Sequence, residues 1–395
     1  MDNLFAEHKP LSEVLKVIYA PQKAFKEILQ KPTYIGPILI MILFIAANTG
    51  SVYTLLSKTH IEQTMPTTDQ GNVWSENKTY WTSTPGVNIT ENTVDFINGT
   101  YYGNKSIQFS AVNTNRIIML LNNMGSVNCT GPDGYKNFSL RVKWTSPMEK
   151  PSNATVYLFS SSPADYFYHN LTMDMANSMS DIWNNFTLPL VTDKWSNNNT
   201  QASWGNITGL KLEFTWATTS NLTMLIDGLF FRGLYQGSTE NINTVVPNIM
   251  TRGLMQFVLI WVILGGLLYI LSRTLGAKTV WKPTLIVAGF ALVTMFVQSV
   301  ISLATFSTLP NLYYTLEYVG GTQAESLIAQ AQIAAETSTV SMIYGYLQVA
   351  TYLWTVMLCA VAAHLLATFS WGKSFLVATV AYLISIMVEG FLLGI

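Results

Sequence analysis

Five long runs of apolar residues constrain this chain more than any other feature. They cover residues 35–56, 254–271, 284–306, 340–369 and 375–393. About 20 apolar residues suffice to cross the hydrocarbon core of a bilayer, so each run can form one spanning helix. Only 11% of the residues are charged, whereas soluble domains usually carry about 25%. The sequence therefore predicts an α-helical transmembrane bundle of about five spans, in a multi-pass membrane protein.

The positions of lysine and arginine in the short loops predict the orientation. The leader, residues 1–34, carries five lysines, and the loops after the second and fourth runs carry four more basic residues. The loop at 307–339 has no basic residue and three glutamates. Because basic loops stay on the cytoplasmic side, we expect a cytoplasmic N-terminus. This orientation places three parts of the chain outside the cell: residues 57–250, the loop at 307–339 and the C-terminus.

Acceptor triplets for N-linked glycans, Asn-x-Ser/Thr, are confined to the segment between the first and second runs. Twelve asparagines carry the pattern there and none elsewhere: Asn77, Asn88, Asn98, Asn104, Asn128, Asn137, Asn153, Asn170, Asn185, Asn198, Asn206 and Asn221. This confinement agrees with the predicted orientation. We expect N-linked glycans on part of the set, because a segment rich in Asn, Ser and Thr also generates triplets by chance.

The leader has the pattern of two short amphipathic helices that meet at Pro21. In the first, Leu11, Val14, Leu15 and Ile18 share one face, and lysines occupy the other faces. Such a segment can lie in the inner headgroup layer of the membrane. It can equally pack against the cytoplasmic ends of the spanning helices.

Between residues 92 and 235 the apolar period changes to two. Leu210, Leu212, Phe214 and Trp216 alternate with polar residues, and residues 138–144 do the same. This alternation is typical of half-buried antiparallel strands. About eight short strands, separated by Gly, Pro, Asn and Asp, predict an all-β jelly roll or sandwich.

The predicted domain order follows from these patterns. The leader at 1–34 precedes the first spanning helix at 35–56. An extracellular, glycosylated β insert occupies residues 57–250, with its core at about 91–236. The second to fifth spanning helices fill residues 251–395.

Four stretches of the insert carry a recognisable pattern of short motifs. They are DFING at 95–99, KSIQF at 105–109, WGNITGLKLEF at 204–214 and LIDGLFF at 225–231. Together they resemble the opening and closing strands of galactose-binding-like jelly rolls, a group that includes carbohydrate-binding modules. The resemblance implies a glycan-binding domain. It also implies a structural calcium ion held by an acid of the first strand and an acid of the last, here Asp95 and Asp227.

The tryptophans of the insert fall into two classes. Trp144 and Trp216 are in phase with apolar neighbours and are predicted to lie in the core. Trp183 and Trp195 stand in loop-like, Asn-rich surroundings. Because aromatic rings can stack on sugar rings, these two are the predicted ligand-binding residues.

Outside the insert, four short motifs occur in a characteristic order. They are VIYAPQKAFKEI at 17–28, SRTLGAKTVWK at 272–282, YLW at 352–354 and WGKSF at 371–375. Their order resembles the Yip (Ypt-interacting protein) domain family of five-span membrane proteins. For eukaryotic members, this family implies proteins of membrane traffic that bind small GTPases of the Rab class. The insert departs from the short first outer loop of that family, and many glycan acceptors with few cysteines suit an archaeal cell surface.

No catalytic signature stands out in the sequence. There is no nucleophile–base–acid set, phosphate loop or Cys/His cluster with metal-site spacing. Cys129 and Cys359 lie in a polar and an apolar region, so we expect no disulfide. A net charge of −1 gives no indication of a nucleic-acid partner. We expect a non-enzymatic membrane scaffold or anchor; an accessory subunit of an envelope glycosidase is a weaker interpretation.

Ionisable groups inside spanning segments suggest an alternative function. Glu389 and His364 lie in the fifth and fourth runs, and such groups are costly in a bilayer and often functional. Other polar residues of the runs are Asn48, Gln256, Gln298 and Gln348. The alternative is a transporter or channel that uses Glu389 and His364. Expected partners are the lipid bilayer, a cell-surface glycan or envelope protein, and further subunits in a homo- or hetero-oligomer.

Overall fold

The chain forms two compact units in a computed structural model that describes residues 10–394. The helical unit comprises the described parts of Met1–Thr59, Gly237–Leu312 and Ala335–Ile395. The β unit comprises His60–Gln236 and Tyr313–Ala334. The first nine residues of the predicted leader lie outside the described residues. The segment Tyr313–Ala334, which is part of the outer loop predicted at 307–339, belongs to the β unit.

Helices make up most of the helical unit, and two short helices, Val73–Glu76 and Leu316–Gly320, belong to the β unit. In chain order, the helices are α1 (Pro10–Tyr19), α2 (Pro21–Gln30), α3 (Ile35–Ser57), α4 (Val73–Glu76), α5 (Ile242–Thr274), α6 (Trp281–Ala291), α7 (Val293–Ser307), α8 (Leu316–Gly320), α9 (Gln323–Ala367) and α10 (Trp371–Leu393), with a 3-10 turn at Lys78–Tyr80. Over residues 10–394, five helical stretches are long and apolar enough to cross a membrane: α3, α5, α6 with α7, α9 and α10.

Two candidate spanning helices begin earlier than the apolar runs indicate. Helix α5 begins at Ile242 and α9 begins at Gln323. The extra residues of α9 are rich in Ala, Gln and Glu, which favour helix strongly without being apolar. A search for apolar runs therefore misses these helical extensions.

The leader helices pack into the core of the helical unit. Val14 and Val17 of α1 and Phe25 and Ile28 of α2 are buried there. The leader therefore packs against the helices, which is one of the two arrangements that its sequence allows. The predicted face is partly wrong, because Leu11 and Leu15 are exposed.

Small residues let the candidate spanning helices approach closely. A Cβ atom added to Gly36 of α3 would lie 2.0 Å from Cζ of Phe290, and one added to Gly289 would lie 2.6 Å from Pro37 and from the Trp261 indole. The Trp261 indole N–H donates to the Leu285 carbonyl at 2.7 Å. Close packing at small residues is a main source of helix association in lipid, where no hydrophobic driving force acts between helices.

The β unit is built from eleven strands. They are β1 (Thr59–Met65), β2 (Trp81–Ser83), β3 (Val87–Asn92), β4 (Ser106–Leu121), β5 (Asn137–Ser146), β6 (Asn153–Ser160), β7 (Ser162–Asn170), β8 (Asn184–Pro189), β9 (Ser196–Asn197), β10 (Ile207–Gly237) and β11 (Leu312–Tyr314). The alternating segments of the sequence are therefore strands, as expected. Strands β4 and β10 each run through a point where the sequence predicts a turn.

The long strand β10 organises the sheet. Its first part pairs antiparallel with β6 and its second part with β5, while β4 pairs with its opposite edge from Leu210 to Ile226. The register of β4 against β10 shifts between Thr215 and Leu222. Strand β7 continues the order beyond β6, β8 continues it beyond β5, and β1 joins β10 to β11.

The two parts of the sheet share one core. Leu212 of the first part of β10 and Met224 of the second part belong to the same buried cluster. Trp144 and Trp216 are also fully buried in it, which confirms their predicted core role. Because one cluster joins residues from both parts, the sheet bends at the shift in β10 and closes on itself as a sandwich.

Candidate functional site

The outer surface of β6 and β7 carries a cluster of tyrosines. Alternation along each strand turns Val156 and Phe167 into the core and their neighbours outward. Tyr157, Tyr166 and Tyr168 are the tyrosines among the outward residues, and we call this set the tyrosine face. Tyr168 is 38% exposed, and the other two are half-buried by their neighbours.

Strand register brings the three rings together. Tyr157 lies directly opposite Tyr168, and Phe159 lies opposite Tyr166. The ring centroids of Tyr157 and Tyr166 are 5.5 Å apart, and those of Tyr166 and Tyr168 are 6.2 Å apart. The tyrosine face is thus a contiguous aromatic surface that carries three phenol groups.

Charged groups of the neighbouring strands border the tyrosine face. The Lys211 ammonium lies 3.5 Å from the centroid of the Tyr157 ring, because Lys211 is the register partner of Tyr157. Glu213 accepts from Lys211 at 3.3 Å and from Arg116 at 2.5 Å. Burial raises the pKa of the Tyr157 phenol, and the Glu213 carboxylate adds to the rise. The phenol is therefore a hydrogen-bond donor at neutral pH.

The predicted ligand-binding tryptophans lie elsewhere. Trp195 is buried, its indole N–H donates to the Pro189 carbonyl at 2.9 Å, and its ring meets Trp204 edge-on at 5.5 Å. It therefore offers no open ring face, and the Asn-rich loop around it covers a core residue. Trp183 is half-buried, and its indole N–H donates to Asp95 at 3.1 Å. The structure does not bring the two tryptophans together.

The two predicted calcium ligands have protein partners. Asp95 pairs with the Lys143 ammonium at 2.8 Å. Asp227 is fully buried and accepts from the Asn72 amide at 2.5 Å and from the backbone N–H groups of Ile97 and Gly228 at 2.7 Å each. Burial raises the pKa of Asp227 to about 7, against the lowering effect of these donors.

This donor set does not fit a calcium ion. Ca²⁺ takes six to eight oxygen ligands, whereas N–H groups and an ammonium surround these two carboxylates. Over residues 10–394, no three His, Cys, Asp or Glu residues are grouped as a metal site. Calcium therefore has no part in the function proposed below.

The acceptor asparagines all lie on or near the surface of the β unit. Asn77, Asn137 and Asn206 are half-buried, and the other nine are exposed. Asn170 lies two residues beyond Tyr168, and the Asn198 side chain accepts from the Tyr166 backbone N–H at 2.8 Å. Glycan occupancy stays a prediction, and two of the acceptors border the tyrosine face.

The predicted intramembrane pair is separated along α10. The His364 ring stacks on Trp371 at 4.4 Å, and its Nδ1 lies 2.6 Å from the Phe369 carbonyl. Glu389 lies near the opposite end of the helix that begins at Trp371, about 27 Å away at 1.5 Å per residue. A direct relay between His364 and Glu389 therefore has no structural basis.

Two deeply placed arginines of the β unit meet glutamates that the sequence assigns to the outer loop. Arg232 pairs with Glu62 at 2.8 Å and also with Glu317. Arg141 pairs with Glu325 at 2.6 Å. Burial opposes the charge on Glu317, but hydrogen bonds and the charge of Arg232 outweigh it and lower the pKa of Glu317 to about 2.

Comparisons with known proteins leave the family open. No protein-family profile and no curated protein matches the chain, so the Yip resemblance stays a prediction. A structure solved to explain the promiscuous specificity of carbohydrate-binding modules from the β-sandwich superfamily is 13% identical over 39% of this chain, with a TM-score of 0.26. This chain spans 57% of that protein's length.

Two further solved structures have similar sequence identities and TM-scores. A family 11 carbohydrate-binding module from Clostridium thermocellum, in complex with a β-1,3-1,4-mixed-linked tetrasaccharide, is 10% identical, with coverage of 39% of this chain and 89% of that chain and a TM-score of 0.26. A β-1,2-glucanase from Parabacteroides distasonis is 13% identical, with a TM-score of 0.29. The match covers 40% of this chain and 24% of that chain.

Proposed function

We propose that this chain is a multi-pass membrane protein whose β unit binds glycans at the tyrosine face. The observation that carries the proposal is the outward cluster of Tyr157, Tyr166 and Tyr168 beside the Lys211 ammonium. A sugar ring presents an apolar C–H face and a rim of hydroxyl groups. Aromatic rings with phenol and ammonium donors at their edges match both features.

The cluster also has a purely structural interpretation. Aromatic pairs across neighbouring strands stabilise a sheet by roughly 0.2–1 kcal/mol each. Burying the same rings in the core would gain more, however, because full burial of a large apolar side chain is worth about 1.5–3 kcal/mol. An exposed aromatic group of this kind is therefore better explained as a binding surface.

The proposed role is recognition without catalysis. Glu213, the carboxylate that borders the face, is paired with Arg116 and Lys211. The helices would hold the β unit at the membrane as a Yip-type scaffold or anchor, with residues 57–250 outside the cell. The ligand would be a cell-surface or envelope glycan.

A glycan array with the full-length protein in nanodiscs tests this proposal. We expect selective binding to a group of oligosaccharides and its loss in the variant Tyr157→Ala/Tyr168→Ala. The variant Tyr313→Ala removes an exposed tyrosine of the β unit outside the tyrosine face and should bind normally. Binding that survives the double substitution would place the glycan site elsewhere.

Glycans on the protein itself need a control. Asn170 and Asn198 border the tyrosine face, and a glycan on either could occupy it. The array should therefore be repeated with Asn170→Gln/Asn198→Gln. If only this variant binds added glycans, the face is occupied by the protein's own glycan in the native state.

A further inference from the structure

A polar cavity lies inside the helical unit, whereas the tyrosine face belongs to the β unit. The cavity has a volume of about 350 Å³, which is within the usual range for sites that bind small molecules. Six of its lining residues carry the inference: Gln256, Gln298, Gln348, Tyr352, Tyr382 and Glu389. They come from α5, α7, α9 and α10. We call this space the intramembrane cavity.

A smaller cavity of about 110 Å³ adjoins it and extends the polar lining. The two share Gln256 and Gln298, and the smaller one adds Asn48 of α3. Every spanning stretch of the helical unit thus contributes a polar side chain to one region. Polar groups at membrane depth are costly, and such convergence is expected at a ligand or ion site.

A carboxyl group lines the intramembrane cavity without a basic counterpart among the lining residues. Glu389 is the sole acidic residue of the cavity, and no lysine, arginine or histidine is among the residues that line it. The Gln256 amide donates to the Glu389 carboxylate at 2.8 Å. Within residues 10–394, no basic side chain forms an ion pair with Glu389. A carboxylate in this position favours a cationic ligand.

Aromatic rings narrow the class of cation. The centroids of Tyr352 and Tyr382 are 5.9 Å apart with their planes at 74°, and both line the cavity. The Gln348 amide donates to the Tyr352 hydroxyl at 2.6 Å and so holds that ring in place. Aromatic rings attract ammonium groups through cation–π interactions, and a neighbouring carboxylate can serve as the counter-ion. The volume also exceeds what a bare metal ion requires.

We infer that the intramembrane cavity binds an organic ammonium group, with Glu389 as its counter-ion and Tyr352 and Tyr382 as its aromatic walls. This site is independent of glycan binding. The ammonium can belong to a small soluble amine or to a lipid headgroup, and the two sources share the same recognition chemistry.

Equilibrium binding of radiolabelled choline to the full-length protein tests the inference. The protein is placed in nanodiscs of phosphatidylglycerol, which carries no ammonium group. We expect saturable binding that tetramethylammonium and ethylammonium displace. The neutral isostere 3,3-dimethylbutan-1-ol should not displace it. Adding phosphatidylethanolamine to the nanodiscs lowers choline binding if a lipid headgroup is the natural occupant and leaves it unchanged if a soluble amine is.

Two variants separate the site from general effects on the fold. Glu389→Gln keeps the shape of the side chain and should weaken choline binding by about thirtyfold or more, since truncating a buried charge pair costs at least about 2 kcal/mol. Glu240→Gln removes an exposed carboxylate of the same unit and should bind as the wild type does.

Labelling of the buried Cys359, in a Cys129→Ser background, checks that the helical unit of each variant is folded. The inference is overturned if choline does not bind saturably or if the neutral alcohol competes equally. Unchanged affinity in folded Glu389→Gln would also overturn it.

Discussion

Replacing Arg232 with alanine should destabilise the β unit more than any surface substitution. The guanidinium donates to Glu62 through Nε at 2.9 Å and Nη2 at 2.8 Å, and to Glu317 through Nη2 at 2.7 Å and through Nη1. The Glu62 side chain is 2% exposed. Alanine would leave two carboxylates close together without their counter-ion.

The expected loss follows from the burial of the group. Removing one partner of a buried ion pair costs about 3–5 kcal/mol, because the remaining charge stays desolvated. For a unit of this size, each 1 kcal/mol shifts the unfolding midpoint by about 2–4 °C. Arg232→Ala should therefore lower the midpoint by roughly 6–20 °C. Arg232→Lys keeps the charge but loses the bidentate geometry, so its loss should be smaller.

The two cysteines provide an assay specific to each unit. Cys129 is buried in the β unit, and burial raises the pKa of its thiol to about 12, so it reacts slowly until the unit unfolds. In a Cys359→Ser background, a thiol-reactive dye reports thermal unfolding of the β unit alone. The midpoint is then compared between the wild type, Arg232→Ala and Arg232→Lys in the full-length protein in detergent.

Lys105→Ala is the matched control for a surface pair. Lys105 and Glu91 are 2.9 Å apart with side chains 35% and 30% exposed. Pairs of this kind contribute about 0–1 kcal/mol. If Arg232→Ala shifts the midpoint no more than Lys105→Ala does, the Arg232 cluster does not stabilise the β unit and the reasoning is wrong.

Three further predictions concern pH, packing and glycans. The pKa of Glu317 is lowered from 4.5 to about 2, so its contribution to stability should be complete above about pH 4.5 and disappear as the pH falls towards 2. Thermal unfolding followed by tryptophan fluorescence should show this loss, and Glu317→Gln should abolish it. Gly36→Ala should destabilise the helical unit by about 1–3 kcal/mol through overlap with Phe290, measured by labelling of Cys359 with Cys129 replaced; an unchanged midpoint would contradict the packing. Glycopeptide mass spectrometry should find the nine exposed acceptors occupied in preference to half-buried Asn77, Asn137 and Asn206, and the reverse order would argue against exposure as the cause.

Local patterns in the sequence predict local structure well in this protein. The apolar runs locate all five candidate spans because a bilayer demands length and hydropathy together. Alternation correctly places Trp144 and Trp216 in the core, because neighbouring residues in a strand face opposite sides of the sheet.

These local patterns do not reveal which residues pair when the two are distant in the sequence. Arg232 and Glu317 are 85 residues apart, and Arg141 and Glu325 are 184 apart. Both glutamates belong to the segment predicted as an outer loop, whose composition indicates only solvent exposure. Charge pairing across such distances depends on the topology of the whole unit, and no periodicity encodes it.

The candidate site shows the same limit. The alternation of residues 155–159 is visible in the sequence, but the strand order that places Tyr157 opposite Tyr168 is not. The sequence directs attention to tryptophans in Asn-rich loops, and Trp195 proves to be a core residue beneath such a loop. Likewise, the polar residues of the spans are evident one by one, whereas their convergence on the intramembrane cavity requires the helix packing.

Titration calorimetry with the strongest array ligand tests glycan binding most directly. We predict that Tyr168→Ala weakens the affinity of the full-length protein about tenfold, since it removes one stacking ring and its buried area. Tyr313→Ala should leave the affinity unchanged. Equal affinities for the wild type and Tyr168→Ala, or no heat of binding with any glycan, would contradict the proposed function.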